Sequence, residues 1–557
     1  CQINNIFGRM GEICSKRLPQ IGVNDSGTAD STMKISLIVD SEYISKWEYD
    51  AILYATSRSD IEIDSVLFCT NSISPRRYFK HFLYFALNLF AMRNKWTKST
   101  EWRGLTSDRT RVKRFNAEIS GIWQSIPTEI LQWMGTSPPD VIVKFGMNLL
   151  RDPQKLPSKF GVLSYHHGDP EKYRGRPAGF YELLFKEKEV GVIVQRLSNS
   201  LDGGEVISSG KFKIYGHSYK RSLENAYGSG RFLLHKALNN LDCPQSPKKL
   251  GRIYTLPTNF QVVVFSINIL VRKMRWILGA LFFRKKWSIS TTNKSINDVM
   301  ADSDLSHNST RLHTPKEFAF AADPFFLQDG SIICEVVEKG SNIGNLAIAT
   351  NENLVIIDSP HLEKTKHNSF PFVSNIEGLN FLMPEMASRG QQRLYEIDAN
   401  NQIVRSFPLT GLEHETLIDP IITVQDGTIW LFAGKLGSDL DCLFLWSSKS
   451  IHEPFEEHKL NPIVCSPKFA RNAGAIFKHE GHFYRPAQDC TENYGDGISI
   501  MRIESISQTS YIETLVKSIK FSESFGPHTI NFGENIAVFD DYKKVFDPFA
   551  WKTKVIS

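Results

Sequence analysis

The sequence predicts an α/β doubly wound N-terminal domain followed by an all-β, five-bladed C-terminal domain. Three observations predict it. At 557 residues the chain is too long for one hydrophobic core. Between Met33 and Leu241, short runs of Ile, Val and Leu alternate with helix-length spacers. From about Phe318 a strand–turn–strand unit recurs five times.

The opening stretch, residues 1–32, has no clear periodicity and reads as a disordered leader, with Met33 as a natural start. In residues 33–241 the runs KISLIVD, IDSVLF, DVIVKFG and KFGVLSYH have the length and composition of buried parallel strands covered by helices. Ligands of such sheets sit beyond the strands' carboxyl ends. SYHHGDP, from Ser164, follows an apolar run directly and falls at such an end. Residues 242–316 read as a helical connector. The stretch from Phe260 has two apolar segments split by Arg272, Lys273 and Arg275, too short to span a bilayer. It fits a helix packed between domains or an interfacial helix on an anionic membrane surface. The segment Arg76 to Arg114 holds eleven Lys/Arg against Glu101 and Asp108. A solvated basic face is the simpler reading, and a site for an anionic substrate or lipid surface the alternative.

In residues 317–557 the units are ADPFFLQDGSIICEV, MPEMASRGQQRLYEI, IDPIITVQDGTIWLFAG, RNAGAIFKHEGHFYRP and PHTINFGENIAVFDD. Their DG and EG dipeptides are hairpin turns, and five such units suggest blades around an axis, with a β-sandwich as the alternative.

Composition narrows function less. The chain is 41% hydrophobic and 22% charged, with a net charge of +5. That modest charge argues against a nucleic-acid partner. The eight cysteines form no CxxC pair, so no metal site is expected, and a reducing, cytoplasmic location fits.

The chemistry concentrates in HHGDP and LDGG. His166 and Asp202 lie 36 residues apart, each placed by the pattern on a loop at a sheet end. A neutral imidazole oriented by a carboxylate can accept a proton from an amine. A hydrogen-bonded structural histidine is the plainer reading of the pair taken alone. Gly203 and Gly204 permit a turn and a close ligand approach.

In order, SYH ending at His166, YRG at Tyr173 to Gly175, RPAGFYELLF, VGVIVQ and LDGG resemble the formyltransferase family, which includes methionyl-tRNA and sugar N-formyltransferases. The resemblance implies N10-formyltetrahydrofolate as co-substrate and an amino sugar, nucleotide- or glycan-linked, as acceptor. It implies catalytic roles for His166 and Asp202, and a folate pocket formed by Phe145, Gly146, Tyr173, Gly175, Leu201 and Gly203. The family's Asn is Ser164 here. An Asn donor to an oxyanion is typically worth about 3 kcal/mol. A serine hydroxyl donates too, but from a shorter side chain. The alternative is an impaired formyltransferase-like domain attached to a glycan-active or glycan-binding propeller.

The C-terminal region resembles the arabinanase and xylosidase clan of glycoside hydrolases, and also the propeller of plant inositolphosphorylceramide glycosyltransferases. Asp323 in ADP and Asp419 in IDP match the clan's first two acid positions. Arg471 and Asn472 stand where its acid Glu would be, and Glu385 is a substitute from another blade. With His528 they outline a pocket for carbohydrate.

Overall fold

The structure is a computed structural model that describes residues 32–57, 60–71, 79–301, 305, 309–350, 353–363, 365–386 and 391–550. Residues 1–31 of the expected leader lie outside the described residues. The chain divides into two compact units, 1–273 and 274–557. Residues 242–316, expected as one helical connector, are therefore shared between them.

The first unit is built on a seven-stranded sheet. In chain order its strands are β1 (Met33–Val39), β2 (Ile61–Cys69), β3 (Arg111–Phe115), β4 (Val141–Lys144), β5 (Val162–His166), β6 (Glu189–Arg196) and β7 (Glu205–Lys213). They lie in the order β7-β6-β5-β4-β1-β2-β3. Strands β1 to β5 pair in parallel. Strand β1 buries Ile35, Leu37, Ile38 and Val39 completely, as expected of a strand covered on both faces.

The doubly wound expectation holds only in part, because β6 and β7 are antiparallel to their neighbours. The link 197–204 is too short for a crossover, which needs about a dozen residues. Helix α1 (Lys46–Thr56) starts at a capping box, in which the Ser45 N–H donates to Glu48 at 2.7 Å. It buries Trp47, Ala51, Ile52 and Ala55 at helical spacing. Two further helices recur below, α2 (Phe82–Ala91) and α3 (Asn259–Phe282).

The second unit is mostly β. Four sheets follow one another in chain order, with first strands Phe318–Phe326, Ser369–Ile376, Leu417–Gln425 and Phe477–His479. A fifth sheet joins both ends of the unit: Ser309–Arg311 and Phe283–Thr292 pair onward to Ala537–Phe546 and Ile530–Phe532. Strand Phe283–Thr292 runs against Ala537–Phe546 over ten residue pairs.

Candidate functional site

The richest cluster of ionisable side chains lies where the first strands of the second unit's sheets come together. Three tripeptides occupy equivalent places, Ala322-Asp323-Pro324, Ser369-Phe370-Pro371 and Ile418-Asp419-Pro420, and Arg471-Asn472-Ala473 and His528-Thr529-Ile530 meet them through hydrogen bonds to Asp419 and Asp323. The ladder slips at the first three, between Ala322 and Phe325, Ser369 and Phe372, and Ile418 and Ile421. At each slip the central residue has positive φ: 52° at Asp323, 44° at Phe370 and 46° at Asp419. Such bulges re-aim a side chain, and the proline after each has no N–H to lose from the ladder. Holding a non-glycine residue there costs on the order of 1–3 kcal/mol, met by surrounding contacts.

Those contacts repeat between sheets. The Asp323 N–H donates to Asp540 Oδ2 at 2.8 Å, and the Asp419 N–H donates to Glu385 Oε2 at 3.1 Å. Each acceptor sits on the second strand of the preceding sheet. Glu335 holds the matching place opposite Ala322, and Glu385 lies opposite Ser369. Glu385 is thus on a second strand. The structural partner of Asp323 in the second sheet is Phe370, so the repeat read at MPEMASRG is set one strand too late.

Around the two bulged aspartates the charges are paired. His528 Nδ1 lies 3.2 Å from both Asp323 Oδ1 and Asp540 Oδ2. Thr529 donates its hydroxyl to Asp323 at 2.8 Å and its N–H to Asp540 at 2.6 Å. Burial alone would depress the His528 imidazole, but Asp540 and Asp323 raise it to about 10, so it is an imidazolium at neutral pH. Burial pushes the Asp323 carboxyl up, yet that imidazolium and its hydrogen bonds hold it below the usual range.

Arg471 Nε lies 2.7 Å from Asp419 Oδ2, and its other end pairs with Asp439. Gln488 donates to Asp419 Oδ2 at 3.2 Å, and Asn472 donates to the Asp419 carbonyl at 2.8 Å. The Tyr494 ring joins both groups, 4.9 Å from the Arg471 guanidinium and 4.9 Å from the His528 ring. Burial first, then neighbouring carboxylates, drives Glu335 and Glu385 well above the carboxylate range. Of this set, Glu335, Asp439, Gln488, Tyr494, Thr529 and Asp540 were missed in the sequence. Asp323, His528 and Asp540 bring their ligand atoms within 4.8 Å of one another, a spacing compatible with a cation, against the sequence expectation of no metal site. The raised imidazole argues instead for a hydrogen-bonded triad.

In the first unit the structure brings His166 and Asp202 together, with Nδ1 to Oδ1 at 3.5 Å. His166 ends β5 as expected, but the Asp202 loop starts from the opposite end of the sheet. That loop leaves β6 beside the start of β5, where the Leu197 N–H meets the Val162 carbonyl, and folds back to reach His166. Both side chains are also engaged by backbone. His166 Nε2 is 2.9 Å from the Tyr173 carbonyl, and Asp202 Oδ2 accepts the Gly175 N–H at 2.7 Å. The Ser164 hydroxyl donates to the Lys144 carbonyl at 3.3 Å. His167 faces away, ringed by Trp47, Tyr165 and Tyr227, and burial lowers it to about 3.

Phe145 packs on Trp47 and Tyr165. Gly146 admits no side chain, since a Cβ would stand 2.3 Å from the Asp40 nitrogen. The Leu201 carbonyl accepts from Arg174 at 2.9 Å, and Gly203 turns beside Ser200. Lys144, unremarked in the sequence, is buried. Burial lowers it to about 8 although Asp40, Asp202 and Glu48 favour its charge. The cleft along His166, Tyr173, Tyr181, Glu182 and Tyr254 has about 10 Å³ of free space, room for little more than a water.

Residues 292–533 match the family model described as glucosamine inositolphosphorylceramide transferase 1, N-terminal. A relative of that name from Oryza sativa subsp. japonica is 35% identical over 218 residues, covering 35% of this chain and 28% of the relative. The chain thus spans little more than a quarter of that relative's length. Among solved structures, a family 117 glycoside hydrolase from Zobellia galactanivorans is 11% identical over 47% of this chain and 91% of its own, with a TM-score of 0.29. A formyltetrahydrofolate deformylase from Pseudomonas putida KT2440 is 12% identical over 38% and 66%, with a TM-score of 0.26. At such scores neither likeness carries weight.

These comparisons overturn formyl transfer and the N10-formyltetrahydrofolate co-substrate, because the named relatives are glucosamine transferases. The Ser164 hydroxyl is turned to a strand carbonyl. The cytoplasmic expectation falls too, since those relatives are named for a ceramide lipid. Among the described residues no helix is long and apolar enough to cross a membrane.

Proposed function

We propose that the second unit is a five-bladed β-propeller that binds a sugar head group at its axis, within a glycan-active protein of the glycosyl-transfer kind. The observation that carries this reading is Arg471. It stands where a glycosidase of this layout needs a proton-donating acid, and its guanidinium lies across Asp419 and Asp439. Hydrolysis requires two carboxyl groups in separate roles. Here Asp419 is neutralised by Arg471, and Asp323 by His528. What remains is an array of donors and acceptors with more carboxylates than cations, suited to the hydroxyl and amino groups of a sugar. The carboxylates favour an amino sugar, and Arg471 with His528 favours a phosphorylated inositol, the two parts in the relatives' name.

In this reading the His166–Asp202 pair ties loops together through the Tyr173 carbonyl and the Gly175 N–H. Titration of the full chain with glucosamine, a nucleotide-linked glucosamine and inositol phosphate, followed by calorimetry, tests the proposal. At least one should bind, and Asp419→Asn and Arg471→Met should each abolish binding. A folded protein that binds none of the three, or that cleaves aryl glycosides, refutes it.

A further inference from the structure

Helix α3 is pinned to the first unit along one side only. Val262 and Phe265 are buried, Phe265 stacks on Phe180 at 4.2 Å, and Arg272 donates to the Leu183 and Gly216 carbonyls at 3.3 Å. Its opposite side carries Phe260, Val263, Ile267, Leu270, Val271 and Met274, all exposed. At about 100° per residue these positions fall within an arc of roughly 120°. Lys273 and Arg275, also exposed, lie on the two flanks of that arc.

Helix α2 extends the surface. Asn259 joins the two helix starts, accepting from the Leu83 N–H and donating to the Phe79 carbonyl, each at 3.0 Å. Phe79 is 89% exposed and Phe90 73% exposed, with Phe82 and Leu89 beside them. Exposed apolar faces on two joined helices mark an interaction site.

We propose that this face docks the protein on an anionic phospholipid membrane, lying in the interface without crossing it. Charge supplies the choice of occupant. Helix α3 contains Arg272, Lys273 and Arg275 and no acid, and residues 79–100 contain four Lys/Arg and no acid. A second copy of this chain would bring like charges together around the apolar core, whereas anionic head groups pair with them while the apolar side chains enter the acyl boundary. Helix α3, with 24 residues, is about 36 Å long. Its central basic residues rule out a span and fit a helix parallel to the surface. The inference stands apart from the sugar reading.

Co-sedimentation of the full chain with vesicles of phosphatidylcholine, with and without about a third phosphatidylserine, tests it. Each basic residue near such a surface contributes about 1 kcal/mol, or roughly fivefold. Partition onto the anionic vesicles should exceed that onto neutral ones by at least about tenfold. The double variant Ile267→Glu/Val271→Glu should lose at least tenfold, with an unchanged melting curve because both residues face solvent. Lys273→Ala/Arg275→Ala should lose the preference for anionic lipid, and Asp419→Asn should bind vesicles as the parent does, whatever its effect on sugar binding. Absence of vesicle binding overturns the proposal, as does a wild-type dimer by light scattering that Ile267→Glu/Val271→Glu converts to monomer without any loss of vesicle partition.

Discussion

The His528 triad makes the second unit's stability depend on pH, in a direction the geometry fixes. Folding raises the imidazole from an ordinary value of 6.5 to about 10. The stabilisation is fully present below 6.5 and is lost as pH rises through about 10. That rise corresponds to on the order of 5 kcal/mol at most, undiluted by solvent because His528 is 2% exposed. Asp323→Asn keeps the shape and the Thr529 hydrogen bond but removes one of the two carboxylates on Nδ1. About half the coupling, on the order of 2 kcal/mol, should disappear at pH 7. The cost has a ceiling, because a poorly paired imidazolium can release its proton. Urea unfolding of wild type, Asp323→Asn and His528→Gln at pH 6, 7.5 and 9 measures it. Glu335 and Glu385, also raised by folding, contribute loss with pH of the same sign. The difference between wild type and His528→Gln isolates the imidazole. Equal slopes in those two proteins would show that no imidazolium sits between Asp323 and Asp540.

Arg471→Met leaves Asp419 and Asp439 facing each other without a cation and should cost about 3–5 kcal/mol in urea at pH 7.5, less at pH 5 where carboxylates take up protons. Gly175→Ala places a Cβ 2.2 Å from the Tyr254 carbonyl at a φ of +87°, and should lower the first unit's melting temperature by several degrees in calorimetry. A fragment beginning near Thr314 lacks Phe283–Thr292 and Ser309–Arg311, half of the closing sheet, and should show no cooperative thermal transition, whereas one beginning at Met274 should.

Local pattern alone carried much of this protein. Runs such as KISLIVD and DVIVKFG had to be strands, and Asp-Pro at 323 and 419 falls on the first strand of a sheet, where a proline at a bulge is tolerated. His166 and Asp202 were recognisable as a pair from motif order, and they do meet. Tertiary structure decided the rest, because it depends on contacts distant in sequence. Phe370 occupies the place in the second sheet that Asp323 holds in the first, and no acid signals it. Strand Phe283–Thr292 finds its partner more than 240 residues later, at Ala537–Phe546. Whether Asp419 and Asp323 are free or neutralised rests on Arg471 and His528 arriving from other sheets. Side-chain periodicity sets what each segment becomes, while the partner of each buried charge is chosen only when the sheets close.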